Sequence, residues 1–376
     1  MKRSFKLITL FDIPVDINYT WFIILGLVVM TLAQGYFPET NPDLPVLAHW
    51  LMAAVAALLL FASLLAHEFS HSIVAMRNRL PIHGITLFVF GGVAHLEKEP
   101  PTPLIEFKMA AAGPAMSFSL AIIFFALTQG MNDLAFPTSL ISICNYLFII
   151  NLMVGIFNLI PGFPLDGGRI LRAAIWAYTK NLRRATGIAS AFGKGFAFFL
   201  MAAGFLNLFT GSVISGIWFI FIGFFLQEAA DVSYRQVLMN KYLTGVKVGD
   251  IMTRNIVTVP AEIKLDQLLD HYFFRFRFAS FPVIEEDKLI GLITLHDLKE
   301  VEREKWVSVS AKEVMIPLQE SLVIDKNSEV TEALTKMATG GFGRLLVVED
   351  HKLIGILSQR DITRLFEFKS KVEDED

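Results

Sequence analysis

Six long apolar runs divide the first 230 residues: Trp21 to about Ala33, about Ala48 to Met76, roughly Leu104 to Leu127, Ile141 to Ile160, about Ala189 to Phe209, and Ser212 to Leu226. Each is long enough, or nearly so, to cross a hydrocarbon core of about 30 Å as a helix. Between the second and third, Thr86 to Leu96 sets two β-prone runs around Gly91-Gly92, which predicts a hairpin. After about Glu228 the pattern changes to short strands and helices, and it repeats. Gly249-Asp-Ile-Met252 returns as Lys312-Glu-Val-Met315, and Leu289-Ile-Gly291 through Asp297 returns as Leu353-Ile-Gly355 through Asp361. The expected architecture is a polytopic α-helical membrane domain over 1–230 with a small β-hairpin or sheet. A linker over 231–245 and soluble α/β units over 246–304 and 305–367 follow it, and an acidic tail over 368–376 is expected to be disordered.

Composition supports the division. Of 376 residues 54% are hydrophobic and 18% charged, with mean hydropathy +0.53, outside the range of an ordinary soluble protein. A net charge of −3 gives no support to nucleic-acid binding. Cys144, the single cysteine, excludes an intramolecular disulfide and lies in an apolar run, where an inert buried thiol is expected. The basic start, Met1 to Lys6, is not followed by a cleavable apolar region, so the N-terminus is expected to be retained. Charge also orients the spans. The connections after spans one, three and five lack Lys and Arg, whereas the opposite set holds Lys2, Arg3, Lys6, Arg77, Arg79, Lys98, Arg169, Arg172, Lys180, Arg183 and Arg184. Both termini are therefore expected in the cytoplasm.

The second apolar run carries His67-Glu68-Phe69-Ser70-His71. Residues four apart share a helix face, so both histidines can meet one metal ion with Glu68 beside them as general base. If this span starts near Ala48 at the outer face, His67 lies ~28 Å further in, near the cytosol, at ~1.5 Å per residue. After span four, Asn158-Leu-Ile-Pro161-Gly162-Phe163-Pro164-Leu165-Asp166-Gly167-Gly168 cannot continue a helix. It is expected to present Asp166 on irregular backbone, at the depth of the histidines, as the third ligand. Two histidines and a carboxylate leave a fourth position for water, the pattern of a catalytic zinc. Asn158 is a candidate to bind substrate or an oxyanion, against the alternative of an interhelical hydrogen bond. The small residues Ala110 to Ser117 in span three read as helix packing, with a kink at Pro114. The Gly91-Gly92 hairpin either merely packs or offers an edge strand to an extended substrate.

His67-Glu68-x-x-His71 together with Asn158-x-x-Pro161-x-x-Pro164-Leu165-Asp166-Gly167-Gly168 resembles the site-2 protease family of intramembrane zinc metalloproteases. The repeated tail is similar to a pair of CBS domains, and the combination resembles the sporulation pro-sigma-processing branch. The resemblance implies one Zn2+ per chain on His67, His71 and Asp166, Glu68 as general base, and Asn158 assisting the substrate or transition state. It implies regulated intramembrane proteolysis of a membrane-spanning or membrane-associated regulatory protein in the cell membrane of a prokaryote. In paired CBS domains, positions matching Thr294, Asp297, Ser358 and Asp361 contact adenine nucleotides. ATP, ADP or AMP is thus a candidate regulatory ligand, although a hydroxyl-x-x-Asp step is equally explained as a helix cap. Such pairs commonly dimerise, so a homodimer is expected. The competing readings are a CBS-regulated transporter or channel and a catalytically dead scaffold.

Overall fold

The computed structural model describes residues 4–373 apart from 11–12, 89–90, 97–98 and 350–351. The chain forms two compact units, Met1–Arg235 and Gln236–Asp376.

The first unit opens with two strands that the apolar runs do not announce, β1 (Ser4–Leu10) and β2 (Ile13–Asn18). Helix α1 (Thr20–Thr31), a π-helical turn and the short helix α2 (Phe37–Thr40) make the first span. Helix α3 (Val46–Arg77) carries the paired histidines, and strands β3 (Ile82–Phe88) and β4 (Gly91–Leu96) form the expected hairpin. The remaining helices are α4 (Pro103–Asp133), α5 (Thr138–Asn158), α6 (Asp166–Thr179), α7 (Leu182–Phe209) and α8 (Val213–Leu243). Six of these segments are long and apolar enough to cross a membrane. The strands form one mixed sheet in the order β1-β2-β3-β4, parallel only between β2 and β3. Because β2 alternates, Ile13, Val15 and Ile17 share one face. With Ile85 and Leu87 that face packs on Phe61, Leu65 and Phe69 of α3. The sheet is therefore fastened to the turns of α3 that lead into the histidines.

Three expectations change. The loop after α5 is irregular, but Asp166 is not on it: it is the first residue of α6. An acidic residue in the first turn suits the partial positive charge of a helix N-terminus, and the two glycines behind it are tolerated inside the helix. The linker expected over 231–245 is helical to Leu243. Nothing in Gln227 to Leu243 breaks a helix, and Ala230, Val237, Leu238 and Tyr242 are buried at helical spacing. Gly245, at φ +78°, follows the helix end. The tail expected over 368–376 is helical as far as it is described, because residues 368–373 close a helix that begins at Gln359; residues 374–376 lie outside the described residues. Lys369 Nζ donates to the Tyr242 carbonyl at 3.1 Å, which ties that helix down.

The second unit contains the two repeats with their ends exchanged. Strands β5 (Val259–Pro260), β6 (Ser280–Glu285) and β7 (Lys288–Thr294) belong to the first repeat, and β8 (Ile316–Pro317) adds to its edge. Strands β9 (Val323–Asp325), β10 (Arg344–Glu349) and β11 (Lys352–Ser358) form the second sheet, and α9 (Gln359–Glu373) follows it. Val248, Ile251 and Met252 pack with Ile324, Leu345 and Ile362 of the second repeat, whereas Ala311, Val314 and Met315 pack with Val259, Phe281 and Leu298 of the first. The boundaries read from the sequence, 246–304 and 305–367, follow the repeat along the chain, whereas each packed core takes the opening segment of the other repeat.

Candidate metal centre

Helix α3 places His67 and His71 one turn apart, both buried, with ring centroids 4.9 Å apart and planes at 78°. Asp166 enters from the first turn of α6. One of its oxygens, Oδ2, lies 3.1 Å from His67 Nε2 and 3.2 Å from His71 Nε2. Each residue offers one donor atom, and these atoms all lie within 4.8 Å of one another.

The far side of each ring is held by α4. His71 Nδ1 is 2.6 Å from the Met109 carbonyl, and His67 Nδ1 is 2.9 Å from Ser117 Oγ. A carbonyl only accepts, so Nδ1 of His71 carries the proton. In the neutral ring Nε2 is then a bare lone pair facing Asp166. That lone pair and the carboxylate repel one another unless a cation lies between them. Gly113 faces both histidines from α4, and a Cβ there would overlap Nε2 of each ring. The donor set and the space beside it thus suit a divalent metal with histidine and carboxylate ligands. By sequence alone Ala110 to Ser117 is a helix-packing stretch, and its contacts with the two rings emerge only in the fold. The small residue at 113 and the hydroxyl at 117 were the available signal, but nothing in a single sequence says which helix they face.

Glu68 follows His67 on α3. Strand β4 crosses above it, where a Cβ on Gly92 would sit 2.6 Å from Glu68 Cγ and 3.2 Å from Cδ. That is closer than atoms pack, so a side chain at 92 displaces Glu68. Gly92→Ala is therefore expected to overpack this contact and lower the melting temperature, and an unchanged melting temperature would show that the strand does not constrain Glu68.

Asn158, the last residue of α5, donates its side-chain amide to the Val154 carbonyl at 3.0 Å, inside its own helix rather than between helices. Thr294, Asp297, Ser358 and Asp361 lie in the other unit. Asp297 Oδ2 accepts from the Thr294 N–H at 2.7 Å and hydroxyl at 2.9 Å, and Asp361 Oδ2 accepts from the Ser358 N–H at 2.9 Å and hydroxyl at 2.6 Å. Both steps are reciprocal helix caps.

Residues 55–136 and 129–203 match Peptidase family M50, and residues 248–304 and 311–367 each match the CBS domain. Rip3 of Mycobacterium tuberculosis is 33% identical over 370 residues, 98% of this chain and 94% of its own. The zinc metalloprotease MJ0392 of Methanocaldococcus jannaschii is 30% identical over 382 residues, with 100% of both chains covered. Among solved structures, a site-2 protease from Methanocaldococcus jannaschii is 29% identical over 62% of this chain and 95% of its own, with a TM-score of 0.42. The chain belongs to peptidase family M50, the site-2 protease family of zinc metalloproteases, and carries a tandem CBS module after its membrane domain.

Proposed function

We propose that this metalloendopeptidase cleaves a membrane-spanning or membrane-associated regulatory protein near the cytosolic face, with His67, His71 and Asp166 holding one zinc ion. The observation that carries the reading is the convergence of those three donors next to Glu68, with both histidines on a helix long and apolar enough to span a bilayer. Zinc in this seat supplies the Lewis acidity that makes water a nucleophile near neutral pH and polarises a carbonyl. Glu68 takes the proton of the attacking water and returns it to the leaving amine nitrogen. Asn158 supports the substrate or the oxyanion after turning its amide away from Val154. Strand β4 lies at the edge of its sheet with Gly92 against Glu68, which suits an extended substrate segment pairing alongside it. The connections 41–45, 134–137 and 210–212 contain no Lys or Arg, which supports a topology with both termini in the cytoplasm.

The test uses the purified protein in proteoliposomes with single-span regulatory proteins as substrates. Cleavage products are identified by mass spectrometry, and they must disappear with a zinc chelator. A CBS-regulated transporter would bind no stoichiometric zinc and would leave these proteins intact.

The CBS pair is proposed to bind an adenine nucleotide and so to control cleavage, and also to join two copies of the chain. A polar cavity of about 400 Å³ is lined by Arg360, Asp361, Thr363, Arg364 and Glu367, and its two guanidinium groups suit phosphate oxygens. The Arg344 guanidinium joins the repeats by donating to Ser280 Oγ at 2.7 Å. Burial pulls it below the usual arginine pKa, yet it stays charged at neutral pH. ATP, ADP or AMP is expected to raise the melting temperature of the purified protein and to change its cleavage rate. If none of the three does either, the module serves structure or docking instead.

A further inference from the structure

One stripe of α4 touches both histidines and the helix that begins at Asp166. Glu106, Met109, Gly113 and Ser117 are spaced three, four and four residues apart, so they share a face, and all four are buried. Met109 and Ser117 hold the two histidine rings, and Gly113 leaves room at their inner nitrogens. Glu106 reaches the other helix of the site. Its Oε1 accepts from Arg172 Nε at 2.5 Å and also contacts Nη2. Arg172 lies on α6, the helix that Asp166 begins. Its Nη1 is 3.6 Å from Glu99 Oε2, and its guanidinium lies over the Phe163 ring at 5.1 Å. Phe163 in turn donates its N–H to the Ala189 carbonyl of α7 at 3.1 Å. Arg172 therefore grips α4 on one side and, on the other, the loop that delivers Asp166.

This arrangement is a poor device for stability. Arg172 is 4% exposed and Glu106 1% exposed. Desolvating two charges consumes most of their attraction, and apolar pairs of similar size are often as stable or more so. Among the described residues Glu106 Oε2 also finds no hydrogen-bond partner. What a guanidinium fork supplies is direction: it fixes its partner in plane and angle, as a point charge does not. We propose that Arg172 and Glu106 are positioning residues that hold α6 at the depth and rotation where Asp166 meets His67 and His71. The proposal rests on Asp166 being a metal ligand. With it, a single face of α4 sets all three ligands, two through their outer nitrogens and one through the ion pair.

The test compares Glu106→Met/Arg172→Met, Arg172→Lys and Asp166→Ala with the wild type in detergent. Readouts are melting temperature, zinc affinity by competition with a chromophoric chelator, and the visible spectrum of the cobalt-loaded protein. The double Met variant is expected to melt at or above the wild-type temperature, yet bind zinc about tenfold or more weakly, with shifted cobalt bands. Arg172→Lys keeps the charge but loses the fork, and it is expected to shift the same bands. A folded double Met variant, or the Lys variant should the former not fold, with wild-type zinc affinity and cobalt spectrum overturns the positioning role. Asp166→Ala separates the two levels of the argument. Weak zinc binding there combined with wild-type behaviour in the pair variants overturns only the positioning role, whereas full zinc binding there removes the ligand assignment itself.

Discussion

Glu68→Gln should bind a full equivalent of zinc and cleave about 10²–10⁴ times more slowly than the wild type, the usual range for losing a general acid–base group. That corresponds to about 3–5 kcal/mol of transition-state stabilisation. Glutamine has the shape of glutamate, so it still fits beneath Gly92 and leaves His67 and His71 against Ser117 and Met109. What it cannot do is accept a proton from water and return it to an amine. The measurement pairs product yield by mass spectrometry with zinc content by elemental analysis, on the same preparation. Cleavage at the wild-type rate would take Glu68 out of the chemistry. Lost zinc together with lost cleavage would instead give Glu68 a role in building the centre.

Asp166→Ala should lose zinc as well as cleavage. Two explanations compete for an aspartate at the first position of a helix. As a helix-terminus charge it is worth about 0.3–1 kcal/mol, and its removal would leave a folded, metal-loaded enzyme. As the one anionic donor of three, its removal leaves two imidazoles facing open space. Affinity should then fall by more than the 10–100-fold that follows loss of a hydrogen-bond partner behind a ligand. The position of Oδ2, close to both Nε2 atoms, favours the larger effect. A full complement of zinc in this variant would refute the ligand role.

The residues proposed for the chemistry were legible because that chemistry restricts residue type and spacing. His67, Glu68 and His71 declare themselves by a four-residue interval on an apolar helix. Asp166 does so by following a break that prolines and glycines force. The six spans and the repeated tail were equally plain, since membrane insertion and duplication both leave long patterns. Short or backbone-mediated features were not. Strands β1 and β2 are too brief to stand out beside the apolar runs. The helical course of residues 231–243 was hidden by its drop in hydropathy. The carbonyl of Met109 has no side-chain signature at all.

Residue type and spacing alone show which side chains can bind metal and move protons, how many apolar spans the chain has, and that a duplicated module follows. Helical periodicity and residue chemistry are local properties, so one chain suffices to read them. The tertiary structure decided how those side chains become a centre. It turned one face of α4 toward α3 and α6, set Ser117 and Met109 behind the rings, and brought Gly92 of a distant strand over Glu68. It also buried Arg172 against Glu106, 66 residues away. Those relations depend on which helix faces which, which is set by packing of the whole bundle. A position such as Gly113 shows its purpose only when the two histidines it makes room for are seen beside it.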